Sequence, residues 1–134
     1  MDKKELYMIA KEVLKNAYTP FSGFKVGAAI LAKDGRIFKG VNVENSSFGG
    51  TICAERNACL NAITEGCKDF EMIAIATSEG FGWPCGMCRQ FLYEFAPDMP
   101  VITGPDENHL QEKTIKELLP EGFRLEETFD YNKF

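Results

Sequence analysis

The sequence predicts a single α/β domain, an α/β sandwich built around a mixed sheet, and three observations support this prediction. The 134 residues are the length of one ordinary domain, and no repeat or linker interrupts them. Hydrophobic residues make up 45% of the chain, which is enough to form a packed core without disulfide bonds. Segments with helical and strand periodicity alternate along the chain, and this alternation is typical of α/β folds.

The first half of the chain predicts one helix followed by a β-hairpin. The helix rests on apolar residues at helical spacing, namely Leu6, Ile9, Ala10, Val13, Leu14 and Ala17. Thr19-Pro20 ends it, because proline disfavours helical dihedral angles in the preceding residue. Segments 24–32 and 36–43 are short, apolar and rich in β-forming residues, and Lys33-Asp34-Gly35 between them is typical of a hairpin turn.

The second half predicts helices and strands in alternation, ending in an aromatic segment. The expected elements are a helix over 53–66 that ends at Gly66, a strand over 71–77, a helix with the apolar stripe Cys88, Phe91, Leu92 and Phe95 that ends near Pro97, a strand over 99–103 and a short helix over 114–119. The last dozen residues contain Phe129, Tyr131 and Phe134 without a pattern. We therefore expect one domain over 1–134, in which residues from about 124 form either a tail that packs on a partner subunit or a loose end.

Charge and cysteine content narrow the classes of function. The formal net charge is −5 and no stripe of Lys or Arg is present, which disfavours a polynucleotide substrate. The N-terminus lacks the apolar run of a signal peptide, and the longest apolar run, Val26–Ala32, is far shorter than the roughly 18 residues that span a bilayer. Five cysteines, an odd number, favour metal or catalytic use in the reducing cytoplasm over structural disulfides. We expect a cytoplasmic protein without a membrane partner.

Cys85 and Cys88 form a Cys-x-x-Cys step, which alone leaves three interpretations open: a redox pair, two zinc ligands, or two buried thiols. A thioredoxin-type redox site has tryptophan immediately before the first cysteine. Here Pro84 separates Trp83 from Cys85, and the preceding strand order does not match either.

Cys53 favours the zinc interpretation, because it also begins a predicted helix and is followed by Glu55. Three thiols at two helix N-termini can converge on one ion, and both helix dipoles favour their ionised form. Three protein ligands leave the fourth tetrahedral position open, as in a catalytic zinc site. A carboxylate beside that position can take a proton from activated water and deliver it elsewhere, so Glu55 is interpreted as a proton shuttle and not as a ligand.

Three thiolates give a Zn²⁺ site a net charge of −1, which weakens its pull on water unless positive donors lie nearby. Arg56 and Arg89 each lie next to a ligand-bearing segment, and we expect both to hydrogen-bond to the ligands. The other candidates are assigned no chemistry: Cys59 faces away from Cys53 on the helix, Cys67 has no evident partner, and His109 lies in a polar loop.

Several separate motifs resemble the zinc-dependent nucleoside and nucleobase deaminases, and in particular the small cytidine deaminases. Cys53-Ala54-Glu55 with Pro84-Cys85-Gly86-Met87-Cys88 is similar to the deaminase zinc signature. The further matching segments are Tyr18–Ala29, Asn42-Val43-Glu44-Asn45, Cys88-Arg89-Gln90 and Leu118–Phe123. The resemblance covers roughly residues 5–123.

This resemblance implies a three-layer α/β/α sandwich with a mixed sheet of about five strands. It implies one zinc ion per subunit on Cys53, Cys85 and Cys88, with Glu55 moving protons during the hydrolytic deamination of cytidine and 2′-deoxycytidine. The products are uridine or 2′-deoxyuridine and ammonia, a reaction of pyrimidine salvage. Three-cysteine enzymes of this size are typically homotetramers with shared active sites, so a homotetramer is expected here.

The resemblance also implies five substrate-binding residues. Phe24 is expected to pack against the pyrimidine ring, and Asn42 and Glu44 to hydrogen-bond to the ribose hydroxyls. The backbone of Ala54 is expected to bind the oxygen of the base. Phe123 is expected to reach into the site of a neighbouring subunit.

The sequence departs from the family pattern at Phe48, where tyrosine is common, so a hydroxyl is missing near an expected subunit contact. Three alternatives remain open beside cytidine deamination. One is a blasticidin-S-type deaminase with the same three-cysteine site, although Phe24 and Glu44 fit a ribose better. The others are a non-catalytic zinc-binding or assembly module and a redox protein with a reversible Cys85–Cys88 disulfide.

Overall fold

A computed structural model describes residues 1–125 and contains one five-stranded mixed sheet. The strands are β1 (Val26–Ala32), β2 (Ile37–Val41), β3 (Phe70–Thr77), β4 (Pro100–Thr103) and β5 (Gln111–Thr114). Across the sheet they lie in the order β2-β1-β3-β4-β5. β3 and β4 pair in parallel, whereas the other neighbours are antiparallel. The predicted tail lies, from residue 126 onward, outside the described residues.

Helices cover both faces of the sheet, which gives the expected three layers. The helices are α1 (Lys3–Val13), α2 (Ala54–Thr64), α3 (Gly86–Tyr93) and α4 (Ile115–Leu118). Alternate residues of β1 point to opposite faces. Ala29 and Leu31 pack with α1 in one core cluster, whereas Ala28 and Ile30 pack in the other with residues of α2, α3 and α4. No helix within residues 1–125 is both long and apolar enough to cross a membrane.

The first helix is shorter than its apolar pattern predicts. Asp2 caps its N-terminus by accepting a hydrogen bond from the backbone N–H of Glu5 at 2.8 Å. The α-helix ends at Val13, and Leu14–Asn16 continue as one 3₁₀ turn before the extended residue Ala17. The helical spacing of Leu14 therefore marks this tighter turn and not another turn of α-helix.

Within residues 1–125, β5 is the one strand that the sequence pattern did not predict. Its residues, Gln111–Thr114, are polar and mostly exposed, so no alternation of apolar and polar residues signals it. It lies at the edge of the sheet and pairs with β4, Thr103 opposite Gln111. Thr114 then begins α4 through a capping box with Glu117.

Helix α2, which carries Cys53 at its N-cap, lies very close to β2 at Gly40. A Cβ atom on this glycine would lie 2.3 Å from the backbone nitrogen of Ala58 and 2.5 Å from the carbonyl oxygen of Ala54. Only a residue without a side chain allows this approach. The absence of a side chain at Gly40 therefore sets how near the N-terminal half of α2 lies to the sheet.

Candidate zinc centre and adjoining pocket

Two helices begin at the same place, each at a cysteine. Cys53 is the N-cap of α2 and Cys85 the N-cap of α3, both with extended backbone conformation. Each cysteine carbonyl accepts the first helical hydrogen bond, from Asn57 N–H at 3.0 Å and Arg89 N–H at 2.9 Å. Neither side chain caps its helix, so both thiols are free to face other groups. The positive ends of both helix dipoles favour thiolates there.

Three thiols converge at these two helix ends. The sulfur atoms of Cys53, Cys85 and Cys88 all lie within 4.8 Å of one another, and those of Cys53 and Cys85 are 4.0 Å apart. Tetrahedral zinc with Zn–S bonds of about 2.3 Å requires sulfur atoms roughly 3.8 Å apart. The donor set and its spacing therefore fit zinc with only small adjustments, and three ligands leave one coordination position open.

Glu55 lies in the first turn of α2 beside this cluster and is only 5% exposed. Burial disfavours its charged form and raises the pKa of the carboxyl group to about 7, and the neighbouring Cys53 adds to the rise. A buried carboxyl with a pKa near neutrality can both accept and donate a proton. This is the property that a proton shuttle requires.

Arg56 donates a hydrogen bond directly to one thiol of the cluster. Its guanidinium donates to Cys53 Sγ at 3.5 Å and to the carbonyl oxygen of Thr51 at 3.5 Å. The pKa of Cys53 is lowered to about 5, chiefly by a hydrogen bond with Cys88 and further by Arg56. The contact joins Arg56 to Cys53, and its effect on a bound metal stays a prediction.

Arg89 has a different set of partners from the one predicted. Its Nε donates to the carbonyl oxygen of Pro84 at 2.6 Å, and its Nη1 to that of Leu118 at 2.8 Å. Its hydrogen bonds thus go to backbone and not to a thiol. The side chain links the loop before Cys85 to the end of α4. It therefore helps to fix the position of Cys85 and does not stabilise a thiolate by a direct hydrogen bond.

A pocket of about 270 Å³ opens beside the thiol cluster. Its lining residues are Phe24, Val26, Asn42, Thr51, Cys53, Ala54, Glu55, Thr77, Phe81, Gly82, Trp83 and Cys85. Six of the predicted site residues are in this set. The wall formed by Thr77 and residues 81–83 was not predicted from the sequence, although two aromatic residues flanking a glycine just before Pro84-Cys85 could have indicated it.

Asn42 and Glu44 hold the pocket's edge together. The Asn42 amide accepts from the Val26 N–H at 2.9 Å and donates to the Phe24 carbonyl at 2.8 Å. Glu44 accepts from the Ser22 hydroxyl and from the backbone N–H groups of Ser22 and Phe21, and these hydrogen bonds, chiefly the first, lower the pKa of its carboxyl group. Asn42 lines the pocket, whereas Glu44 is not among the lining residues.

Phe123 lies outside this pocket and is 56% exposed. Its carbonyl oxygen accepts a hydrogen bond from Gln90 of α3 at 2.8 Å, which fixes the backbone at this point. Phe48 is also exposed and packs its ring edge against Phe21 with centroids 5.7 Å apart. An ordered backbone that presents an exposed aromatic ring is compatible with a contact to another subunit.

The cysteines and the histidine that were assigned no chemistry lie away from the cluster. Cys59 is fully buried in the core, and burial raises the pKa of its thiol to about 12. Cys67 is buried in the same core cluster. His109 is exposed, with Nδ1 2.8 Å from Asp106 Oδ1.

A family model described as the cytidine and deoxycytidylate deaminase zinc-binding region matches residues 1–103. Together with the mixed sheet and the three-thiol cluster, this match defines a zinc-binding deaminase domain. The interpretation of the Cys-x-x-Cys step as part of a zinc site is thereby favoured over a redox pair.

Full-length comparisons make the assignment more specific. The chain is 42% identical to the cytidine deaminase of Sporosarcina psychrophila over 95% of both chains. It is 43% identical to that of Halalkalibacterium halodurans, over 97% of this chain and 100% of the relative. The chain belongs to the cytidine deaminase family.

Solved structures confirm the fold class. The cytidine deaminase of Burkholderia pseudomallei aligns with a TM-score of 0.87 at 38% identity, over 92% of this chain and 100% of that one. The enzyme of Mycobacterium tuberculosis aligns with a TM-score of 0.81 at 32% identity, over 92% and 98%. The expected three-layer sandwich with a five-stranded mixed sheet is therefore confirmed.

Proposed function

We propose that this protein is a zinc-dependent cytidine deaminase that converts cytidine and 2′-deoxycytidine to uridine and 2′-deoxyuridine with release of ammonia. One observation carries the proposal: a buried carboxyl, Glu55, lies beside three convergent thiols, and Glu55, Cys53 and Cys85 line a pocket of about 270 Å³. Cys53, Cys85 and Cys88 would hold one zinc ion per subunit. When bound, zinc acts as a Lewis acid that lowers the pKa of a water molecule.

Glu55 moves both protons that the reaction requires. It accepts one proton from water and delivers it to N3 of the base while the water oxygen forms a bond to C4. It then carries the second proton from the new C4 hydroxyl to the amino nitrogen. The C4–N4 bond breaks, a carbonyl forms at C4 and ammonia leaves, so one water molecule is consumed and Glu55 returns to its starting state.

The N-terminus of α2 also orients the base. Ala54 is the first residue of the helix, and the first four N–H groups of a helix have no partner within it. Its N–H can therefore donate to the carbonyl oxygen of the pyrimidine. Phe24, which lines the pocket and is 40% exposed, offers its ring to the face of the base.

Asn42 and Glu44 bind the ribose in this proposal. The Asn42 carboxamide is held in place by Val26 and Phe24, and the Glu44 carboxylate by residues 21 and 22, so neither needs to be ordered by substrate. Preorganised groups bind with a smaller entropic penalty. Both nucleosides present the 3′-hydroxyl that these side chains would contact.

The active assembly is proposed to be a homotetramer in which Phe123 of one subunit completes the site of another. The ring of Phe123 is exposed, while its backbone is fixed to α3 by Gln90. Large exposed aromatic residues of this kind are typical of subunit contacts. We further propose that the enzyme acts in the cytoplasm in pyrimidine salvage, since a free nucleoside is the substrate that the small acidic chain can accommodate.

The proposal is tested by following the ultraviolet absorbance of cytidine with the purified protein before and after treatment with a zinc chelator. We expect loss of the cytidine band with release of one ammonia per nucleoside, abolished by chelation and restored by added Zn²⁺. No change with folded, zinc-loaded protein contradicts the proposal. In that case turnover of blasticidin S by the same protein would identify the alternative deaminase.

A further inference from the structure

The segment Phe81-Gly82-Trp83 is fixed firmly against the end of the sheet. The Gly82 N–H donates to Thr103 Oγ1 at 2.8 Å, and that hydroxyl donates to the carbonyl oxygen of Ile75 at 2.8 Å. Thr103 is fully buried. A Cβ on Gly82 would lie only 2.7 Å from Cγ2 of Thr77, so any larger residue would have to displace this side chain of β3. The segment is therefore tied to both β3 and β4.

The two aromatic side chains of this segment form a rigid wall. The rings of Phe81 and Trp83 are parallel within 4°, with centroids 6.3 Å apart, which is an offset stack. The Lys113 ammonium lies 5.4 Å from the Trp83 ring centroid and adds a cation–π contact. The indole also packs against the core cluster on the α2–α3 face of the sheet. Three contacts thus support the Trp83 side chain beside the pocket.

The order of the strands locates this wall within the pocket. Asn42 directly follows β2, Val26 begins β1 and Thr77 ends β3, so all three lie at the same end of neighbouring strands. Gly82 is held to Thr103 at the end of β4, and Trp83 contacts Lys113 of β5. The pocket therefore runs across the sheet from β2 toward β5, with Asn42 at one end and Trp83 at the other.

We infer that Trp83, backed by Phe81, forms the wall that meets the C4–C5 edge of the pyrimidine and limits the size of substituents at C5. The inference rests on the proposed function, in which Asn42 binds the ribose. The ribose is attached at N1, so the opposite edge of the ring, which carries C4 and C5, faces away from β2 and toward Trp83. Glu55 lies at N3, on the other side of C4, which leaves C5 as the position beside the indole.

The first experiment compares kcat/KM for cytidine, 5-methylcytidine and 5-bromocytidine in the wild type, Trp83→Phe and Trp83→Ala. Dividing each value by that for cytidine and then by the wild-type ratio cancels the intrinsic reactivity of the substituted base. We expect Trp83→Ala to raise the relative kcat/KM of the substituted nucleosides about tenfold or more, with Trp83→Phe intermediate. Met8→Ala, an exposed truncation on α1, is the control and leaves the ratios unchanged.

The outcomes separate the two hypotheses. A wild type that does not deaminate cytidine overturns the proposed function. A wild type and Trp83→Ala that both deaminate cytidine, with unchanged ratios, overturn the inference about Trp83 alone.

A second measurement needs no Trp83 variant to fold. The chain contains a single tryptophan, so selectively excited tryptophan fluorescence reports on Trp83 only. Titration of zinc-loaded wild type with uridine is expected to change the emission, with a midpoint equal to the Kd from calorimetry. At matched occupancy, 5-bromouridine is expected to quench more strongly, because the heavy atom touches the indole. Binding in the calorimeter without any change in emission overturns the inference.

Discussion

The N-termini of α2 and α3 are built alike and are used differently. Each begins at a cysteine whose carbonyl accepts the first helical hydrogen bond and whose thiol faces the same cluster. Each is followed by an arginine within four residues. Arg56 donates to the Cys53 thiol, whereas Arg89 donates to the backbone carbonyls of Pro84 and Leu118.

This difference indicates that the two similar helix ends contribute different groups to the site. The α2 end supplies the groups that act on charge, namely Glu55, Arg56 and the free N–H of Ala54. The α3 end supplies two thiols and the hydrogen bonds that hold its loop in place. The same sequence feature, a cysteine with a nearby arginine, therefore directs the guanidinium to a thiol at one helix and to backbone carbonyls at the other.

The largest effect is expected from removing a thiol of the cluster. Cys88 and Cys59 are both fully buried, but only Cys88 belongs to the cluster. Cys88→Ala is expected to lose bound zinc and to reduce cytidine turnover to background, whereas Cys59→Ala keeps both and lowers only the Tm. Zinc content by mass spectrometry and the absorbance assay measure these effects. Full zinc occupancy in Cys88→Ala would remove Cys88 from the ligand set.

Removing the carboxylate at α2 is expected to separate zinc binding from turnover. Glu55→Gln keeps the shape of the side chain but cannot accept a proton, so kcat should fall by roughly 10² to 10⁴. Zinc content and Tm should be retained, because the thiols are unchanged and a neutral amide replaces a buried acid. Glu65→Gln, at the exposed end of the same helix, is the matched control. A near-normal rate for Glu55→Gln contradicts the proton-shuttle role.

The first arginine variant tests whether Arg56 stabilises the Cys53 thiolate at the start of α2. Arg56→Gln removes the donor to Cys53 Sγ, so the thiolate is less stabilised and zinc affinity should fall about 10- to 100-fold. Competition with a chromophoric chelator measures this affinity. Arg36→Gln removes an exposed arginine that pairs with Asp34 and should leave it unchanged. Equal affinities for wild type and Arg56→Gln would show that the contact does not support the site.

The second arginine variant tests whether Arg89 stabilises the fold around the start of α3, and it has the smallest expected effect. Arg89→Gln leaves the carbonyls of Pro84 and Leu118 without their charged donor, which should cost about 1–3 kcal/mol of unfolding free energy. Denaturant unfolding of the zinc-loaded protein measures this loss. If Arg89→Gln instead weakens zinc binding as much as Arg56→Gln at unchanged stability, both arginines support zinc binding and the proposed difference between the two helix ends is wrong.

The sequence predicted those parts of the fold that leave a local pattern. The apolar run Val26–Ala32 is buried on both faces of the sheet, and the hairpin turn after it is found where expected. The edge strand Gln111–Thr114 was missed because it buries almost nothing and is specified by its pairing with β4. Its partner, and not its composition, makes it a strand.

The same distinction applies to the site. The convergence of Cys53, Cys85 and Cys88 could be predicted because all three lie at predicted helix starts and their motifs resemble the deaminase zinc signature. The partners of Arg89 could not, because Leu118 is 29 residues away and meets it only through the packing of α3 and α4. The position of Trp83 in the pocket wall was not predicted for a similar reason, since it depends on a hydroxyl in β4 that holds Gly82.

The glycine of β2 has a consequence for anyone who alters this protein. A methyl group at residue 40 would push against the backbone of Ala54 and Ala58, so helix α2 would have to move away from the sheet, and Cys53 and Glu55 would move with it. Random libraries aimed at new substrates will therefore contain inactive members whose lesion lies far from any substrate-binding group. Keeping Gly40 unchanged in such libraries preserves the position of the start of α2 relative to that of α3 while the pocket residues are varied.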